Sequence, residues 1–307
     1  MTTFPISGVE TYWWLPLLTA VVVSSFTSIG GLSGAFFLLP FQMTVLGFTG
    51  PGVSATNLLF NVIAIPSGVF RYIREGRMLW SLTIAIILGT LPGVLAGVFI
   101  RIQLFSDPRL FKLFVAGVLA YIASRLIKDI FMHSHAGAWE REEVDTMDDE
   151  FIVKDDSLTL KWISFNFQGQ HYQVSSLAVF SLSLVVGVIG GVYGIGGGAI
   201  IAPFLVAVFK LPVHTIAGAS LMGTFITSFV GVIFYAWVAP HFAANGLNVQ
   251  PDWGLGALFG IGGAIGMYMG ARMQRYIKAD LIKKVILVCL AVVVVKYLGE
   301  FFLNFEF

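Results

Sequence analysis

The chain has 307 residues, of which 57% are hydrophobic and only 11% are charged, and its formal net charge is +1. Soluble domains carry about 25% charged residues, and a soluble protein of this size could not hide so much apolar surface. The composition therefore excludes an ordinary soluble domain and predicts a polytopic membrane protein whose surroundings are the lipid bilayer.

Apolar segments follow one another along the chain in two sets of five. They cover about residues 13–29, 34–47, 53–70, 79–100 and 110–127, and then 176–192, 197–209, 213–239, 253–272 and 281–299. One crossing needs about 17–25 apolar residues. The last three segments of each set approach or reach that length, whereas the first two are too short to cross comfortably. We predict an all-α fold in which each set is a broken helix pair plus three transmembrane helices.

A glycine cluster separates the two short segments of each set. Residues 31–34 are followed by Pro40 and residues 194–198 by Pro203, at a constant offset of 163. As one helix, residues 13–47 would be about 50 Å long, whereas the hydrocarbon core is about 30 Å thick. We therefore expect two half-length helices that enter and leave the membrane on one side.

The repetition extends beyond the glycines and predicts an internal duplication. Asn57 matches Ser220 and Asn61 matches Thr224 at the offset of 163, and Trp80 matches Trp253 at an offset of 173. The expected organisation is a first transmembrane repeat over 1–130, an insert over 131–175 and a second transmembrane repeat over 176–307.

Basic residues indicate the orientation of these segments. If each broken pair returns to its own side, fourteen Lys and Arg residues share one side, and only Arg101, Arg109 and Lys112 lie on the other. Cytoplasmic loops are enriched in Lys and Arg. We therefore predict a multi-pass membrane protein with its N-terminus outside and residues 131–175 in the cytoplasm. With this parity the two repeats are inverted, as in many secondary transporters.

The insert over 131–175 is acidic and polar. Segments that alternate like strands begin at Phe151, Leu158 and His171, with turn signals at Asp155 and Gln168. The interval predicts either a β-hairpin or meander, or a solvated linker between the repeats.

The glycine clusters are candidate ligand sites. A helix that begins within the membrane presents unpaired N–H groups and a positive dipole end, which suit an anion. Polar side chains at i and i+4 on the following helices could donate further hydrogen bonds, although helix packing through small residues and polar contacts is the alternative. The predicted substrate-binding residues are Gly31, Ser33, Gly34, Asn57, Asn61, Gly194, Gly196, Gly197, Gly198, Ser220 and Thr224.

Two further glycine series read as packing ridges between helices. They comprise Gly89, Gly93 and Gly97 in the first repeat and Gly262, Gly266 and Gly270 in the second. The spacing leaves open whether each ridge faces the other repeat or a second subunit, so a homodimer is one alternative.

No Asp or Glu falls in the middle of an apolar segment, and the histidines show no metal-ligand spacing. The sequence thus offers no carboxylate for a coupling ion and no catalytic pair. We predict that the protein is not an enzyme, uses no cofactor or metal, and binds no nucleic acid. The expected site is neutral in its side chains and positive only through helix dipoles.

The motif Gly194-Ile-Gly-Gly-Gly-Ala-Ile-Ile-Ala-Pro-Phe, the later Gly218-Ala-Ser-Leu and the matching first half resemble the TauE/SafE family of sulfite exporters. The first copy departs from the second, with Ser33 and Ala35 where glycines stand. The resemblance implies an inner-membrane permease for sulfite, sulfoacetate or related organosulfonates.

The residues and the resemblance together predict an alternating-access transporter, and by resemblance an exporter, of a small sulfur-containing anion. Two alternatives remain open from the sequence. One is an anion channel that uses the same dipoles, and the other is an accessory membrane protein that docks through 131–175.

Overall fold

The computed structural model describes residues 1–29, 33–74, 76, 78–132, 154–167, 169–209, 211, 213–243, 246–273 and 279–303. The helices are α1 (Trp14–Ile29), α2 (Ala35–Thr44), α3 (Gly52–Ala64), α4 (Pro66–Arg74), α5 (Trp80–Gln103), α6 (Pro108–Met132), α7 (Ser176–Tyr193), α8 (Gly197–Phe209), α9 (Val213–Ala243), α10 (Trp253–Met273) and α11 (Ala279–Leu303). The strands are β1 (Thr2–Thr3), β2 (Glu10–Thr11), β3 (Lys154–Leu158), β4 (Trp162–Phe167) and β5 (Gln170–Ser175).

The predicted helical membrane protein is confirmed, because every apolar segment forms a helix. Within the described residues, five stretches are long and apolar enough to cross a membrane: α3 with α4, then α5, α7, α9 and α10. The predicted span 53–70 divides after Ala64, where Pro66 begins α4, as suits a residue without an N–H at a first helical position. Helix α7 has 18 residues and is long enough for a crossing, unlike the half-length helix that we expected there.

The two ends of the α1–α2 pair lie together. Before α1, the N–H and hydroxyl of Ser7 donate to Asp252 Oδ2 at 2.9 and 2.7 Å. After α2, the Gly52 N–H donates to the Asn248 carbonyl at 3.2 Å. Both flanks therefore contact the segment between α9 and α10. We call this the N-terminal end of the bundle.

The α7–α8 pair starts and finishes at the opposite end, where β3, β4 and β5 lie. The Ser176 N–H, at the start of α7, donates to the Lys161 carbonyl at 3.1 Å. At the start of α9, a Cβ on Gly218 would stand 3.1 Å from Cβ of Tyr72 in α4, and the chain returns from α4 to the start of α5 beside the sheet. These contacts fit two hairpins that enter from opposite ends, and the inverted symmetry of the repeats stays a prediction.

The glycine ridges pack each hairpin against the other repeat. A Cβ on Gly93 of α5 would stand against the Leu184 carbonyl of α7, and one on Gly266 of α10 against the Val21 carbonyl of α1. The backbone of α7 therefore contacts the backbone of α5, and the backbone of α1 contacts that of α10. Each contact joins the two halves of the chain. The ridges in this chain face the other repeat, which answers the question that their spacing left open.

Residues 154–175 form a three-stranded antiparallel sheet in the order β3-β4-β5. The turn expected at Asp155 is wrong, because Asp155 lies within β3 beside an irregularity in its pairing. The chain turns instead after Thr159, whose hydroxyl accepts from the Trp162 N–H at 3.0 Å. The second expected turn contains Gly169, with φ +72°. The strand expected at Phe151 lies outside the described residues.

Candidate functional site

The second break is built by glycines that no other residue replaces without strain. Helix α7 ends at Tyr193, and Gly194 and Gly196 have φ values of +87° and +76°, a region that L side chains rarely adopt. Helix α8 then begins at Gly197, whose N–H donates to Thr227 Oγ1 at 3.2 Å. A Cβ on Gly198 would stand against the Ser220 carbonyl of α9. The break is therefore held tightly against α9.

The first break is described from Ser33 onward, and Gly31 lies outside the described residues. The Ser33 hydroxyl donates to Asn61 Oδ1 at 3.2 Å and accepts from the Ala35 N–H at 3.3 Å. A Cβ on Gly34 would stand 2.7 Å from Ser24 Oγ of α1, so the tip of this hairpin is also close-packed.

Asn61 joins the two breaks. Its Oδ1 accepts from Ser33 in the first break, and its Nδ2 donates to the Ile195 carbonyl in the second break at 2.9 Å. A second Nδ2 bond reaches Ser228 Oγ on α9 at 3.3 Å. The tips of the two hairpins therefore meet at one side chain of α3.

Asn57, one turn earlier on α3, makes a parallel link. Its Nδ2 donates to the Ala35 carbonyl of α2 and to the Gly194 carbonyl, both at 3.0 Å. Gln42 Nε2 approaches Asn57 Oδ1 at 3.5 Å. Each side-chain amide has two hydrogens, so both asparagines have used all their donors on the protein.

This differs from the expectation that the asparagines donate to a bound anion. The Gly194 and Ile195 carbonyls lie between α7 and α8 and have no helical partner, so away from water they must be satisfied by other groups. The asparagines do so in this conformation. A ligand at this place would have to exchange with these bonds, so the substrate-binding role of Asn57 and Asn61 stays a prediction.

The predicted residues of the second repeat behave differently. Thr224 Oγ1 donates back to the Ser220 carbonyl at 2.8 Å, whereas Ser220 Oγ is buried and has no hydrogen-bond partner within the described residues. The two repeats therefore contribute unequally, with linked amides on α3 and an unpaired hydroxyl on α9.

Ten of the eleven predicted site residues lie in one buried cluster where the hairpin tips meet α3 and α9. They are Ser33, Gly34, Asn57, Asn61, Gly194, Gly196, Gly197, Gly198, Ser220 and Thr224. Asn57 and Asn61 have no exposed surface, and Ser33, the most exposed of the polar members, is 8% exposed. This conformation encloses the cluster.

Several polar residues of the cluster were missed from the sequence. Ser228 bonds Asn61, Thr227 bonds the Gly197 N–H, and Ser54 Oγ donates to the Val192 carbonyl at 3.3 Å. Ser228 follows Thr224 by one helical turn, so extending the i, i+4 pattern would have found it. No such spacing pattern in the sequence pointed to Ser54 or Thr227.

Arg101 corrects one expectation, because we expected no side-chain charge near the site. Its place on the outer side of the membrane stays a prediction. Arg101 lies in the last turn of α5, is fully buried, and donates from Nε to Ser54 Oγ at 3.2 Å. Its position, four residues after Gly97, continues the buried ridge of α5, and that was the signal available in the sequence.

Comparisons with known proteins agree with this architecture. No solved structure matches the chain. A 106-residue stretch, 34% of the chain, is 27% identical to the probable membrane transporter protein YdhB of Bacillus subtilis and spans 39% of that protein. The model of the sulfite exporter TauE/SafE family matches residues 16–297. The chain is therefore a multi-pass membrane protein that belongs to the sulfite exporter TauE/SafE family.

Proposed function

We propose that this transporter exports a small sulfur-containing oxyanion, such as sulfite or an organosulfonate like sulfoacetate, by alternating access around the cluster where the two breaks meet. The observation that carries the proposal is the position of Asn61, which hydrogen-bonds both hairpin tips at once. A ligand that competes for these bonds would loosen one tip from the other. Binding and conformational change would then be coupled at one place.

The chemistry of the cluster supports an anion. Helix α8 begins here with Gly197 and Gly198, so no side chain on these two residues covers the N–H groups and the positive dipole end. Hydroxyls of Ser33, Ser220 and Thr224 are within the same cluster. An oxyanion accepts hydrogen bonds only, and these groups can donate to it once the bonds that the Gly197 N–H, Ser33 and Thr224 make in this conformation are exchanged.

The enclosure of the cluster favours alternating access over an open channel. Its asparagines are fully buried, and in alternating access one part of the fold rocks against another around a central site. Export of an anion from a negative interior gains about 2.3 kcal/mol per charge per 100 mV. This driving force is consistent with apolar segments that hold no mid-segment Asp or Glu for a coupling ion.

Thermal unfolding of the purified full chain tests the proposal with sulfite, sulfoacetate, sulfate, taurine and chloride as separate additives. A ligand at 100 times its Kd stabilises the folded state by about 2.7 kcal/mol. We expect one sulfur oxyanion to stabilise the protein. Asn61→Ala should abolish that increase, and Ser124→Ala, which removes an exposed hydroxyl on α6, should retain it. Failure of all five additives to stabilise the wild-type protein would contradict the proposal.

A further inference from the structure

Arg101 is a buried cation with no carboxylate partner among the described residues. The side chain has no exposed surface. Its Nη2 donates to the Gly50 carbonyl at 3.3 Å, its Nη1 donates to the Phe105 carbonyl, and its guanidinium lies 3.5 Å from the centroid of the Phe111 ring. Among the described residues, no carboxylate oxygen lies within 4.0 Å of it. Burying a charge without an opposite charge is costly, and a cation buried on a helix long and apolar enough to cross a membrane is by default a candidate functional group.

Donors remain available around this cation. A guanidinium has five N–H groups, and three hydrogen bonds are made, to Ser54, Gly50 and Phe105. The fully buried Tyr235 hydroxyl lies close to Arg101 and Ser54, yet it forms no hydrogen bond of normal geometry with a described residue. The planar, positively charged guanidinium of Arg101 and the neighbouring Tyr235 hydroxyl are together complementary to an oxyanion.

Ser54 connects this cation to the cluster at the breaks. It lies on α3 one turn before Asn57 and receives the Nε–H of Arg101. A Cβ on Gly194 would stand 2.6 Å from Cα of Ser54, so the second break and Ser54 are in direct contact. One residue therefore separates the guanidinium from the break.

Gly50, which accepts one of the Arg101 hydrogen bonds, lies near a cavity at the N-terminal end of the bundle. Gly50, whose carbonyl accepts from Arg101, lies next to the segment 246–250, because a Cβ on Gly50 would stand 3.6 Å from the Asn248 carbonyl. That segment and the last turns of α9 line a cavity of about 350 Å³. Gly50 thus links Arg101 to Asn248, which lines this cavity, and Ser54 links Arg101 to the second break.

We propose that Arg101 and the Tyr235 and Ser54 hydroxyls form a second binding station for the transported oxyanion, between the breaks and the cavity at the N-terminal end. The inference depends on the proposed function, since it takes the substrate to be an anion. The station supplies the full positive charge that the cluster at the breaks lacks. An anion passing between cavity and break would pair with the guanidinium and with the unused Tyr235 hydroxyl.

Affinity for sulfite and for sulfoacetate, measured by titration of the purified full chain, tests the station. A hydrogen bond to a charged group contributes about 1.5–3 kcal/mol, so Arg101→Gln should weaken binding at least about tenfold. Arg101→Lys keeps the charge without the planar fork and should weaken binding less. Tyr235→Phe should also lower the affinity. Arg109→Gln removes an exposed charge from the same end of the bundle and should leave the affinity unchanged.

The outcomes separate this inference from the proposed function. If the wild-type protein binds an anion and Arg101→Gln binds it equally well, Arg101 only tethers the segments at Gly50 and Phe105, and the station is overturned while the proposed function stands. If the wild-type protein binds neither anion, the station and the proposed function are both overturned. If Arg101→Gln does not fold, Tyr235→Phe decides, because its lost hydroxyl has no described partner, and unchanged affinity in that variant overturns the station.

Discussion

At the scale of single residues, a hydrogen bond missing from one helix is replaced by a side chain that is distant in the sequence. Pro40 lies inside α2 and has no N–H, so the Phe36 carbonyl four residues earlier loses its helical donor. The Tyr193 hydroxyl, at the end of α7, donates to that carbonyl at 2.8 Å. A proline in one hairpin is thus compensated by a tyrosine in the other. The sequence showed Pro40 and the glycines after Tyr193, but it carried no signal that joined residues so far apart.

A double-mutant cycle tests this compensation. Tyr193→Phe should leave the Phe36 carbonyl without a donor and lower the free energy of unfolding by about 1–3 kcal/mol. In a Pro40→Ala background the alanine N–H can satisfy the carbonyl, so the same change should cost less than half as much. Chemical unfolding in detergent provides the four values. Equal costs in both backgrounds would show that the tyrosine acts through something other than the Phe36 carbonyl.

The candidate site shows at residue scale what a pattern can and cannot predict. The shared offset located Asn57, Asn61, Ser220 and Thr224, because a duplicated fold repeats its polar positions. It could not give their hydrogen-bond partners, which depend on how two hairpins meet. Comparison of the repeats did not identify Arg101, because the equivalent position in the second repeat, 173 residues later, is Gln274.

At the scale of elements, apolar length and glycine position predicted which segments form helices, but not the division after Ala64 or the full length of α7. They did not predict the partners of the glycine ridges, since a small-residue ridge specifies close approach and not a particular neighbour. The structure places α7 against α5 and α1 against α10. Each hairpin is therefore positioned by the other repeat, and close backbone contact sets the depth of both breaks.

Gly93→Ala tests this role of the ridge. Its Cβ would meet the Leu184 carbonyl and the Val188 nitrogen of α7, and the backbone offers no flexible side chain that could move away. We expect a loss of about 1–3 kcal/mol, typical of overpacking, measured as a lower melting temperature.

The matched control is Gly117→Ala in α6, where a Cβ would meet nothing within 4 Å. Alanine is favoured over glycine in a helix by about 0.5–1 kcal/mol, so this variant should be unchanged or more stable. Equal destabilisation by both changes would contradict a packing role for the ridge on α5.

At the scale of the whole molecule, the two broken helix pairs meet on α3 and are each packed against the other repeat. Hydrophobicity and glycine breaks predicted the helical membrane fold and the location of the cluster. They did not predict that most polar groups of the cluster would bond one another, or that Ser220 Oγ would have no partner among the described residues. Because those bonds close the cluster in this conformation, the transport account requires them to break and re-form during each cycle.

The measurement that tests this account most directly is counterflow of labelled sulfite in proteoliposomes that hold the full chain. Alternating access predicts saturable uptake that is accelerated when unlabelled sulfite is present on the other side, and Asn61→Ala should abolish it. Uptake that rises linearly with concentration and shows no acceleration would contradict alternating access and indicate a channel. The absence of any uptake of sulfite or sulfoacetate would contradict the proposed substrate class.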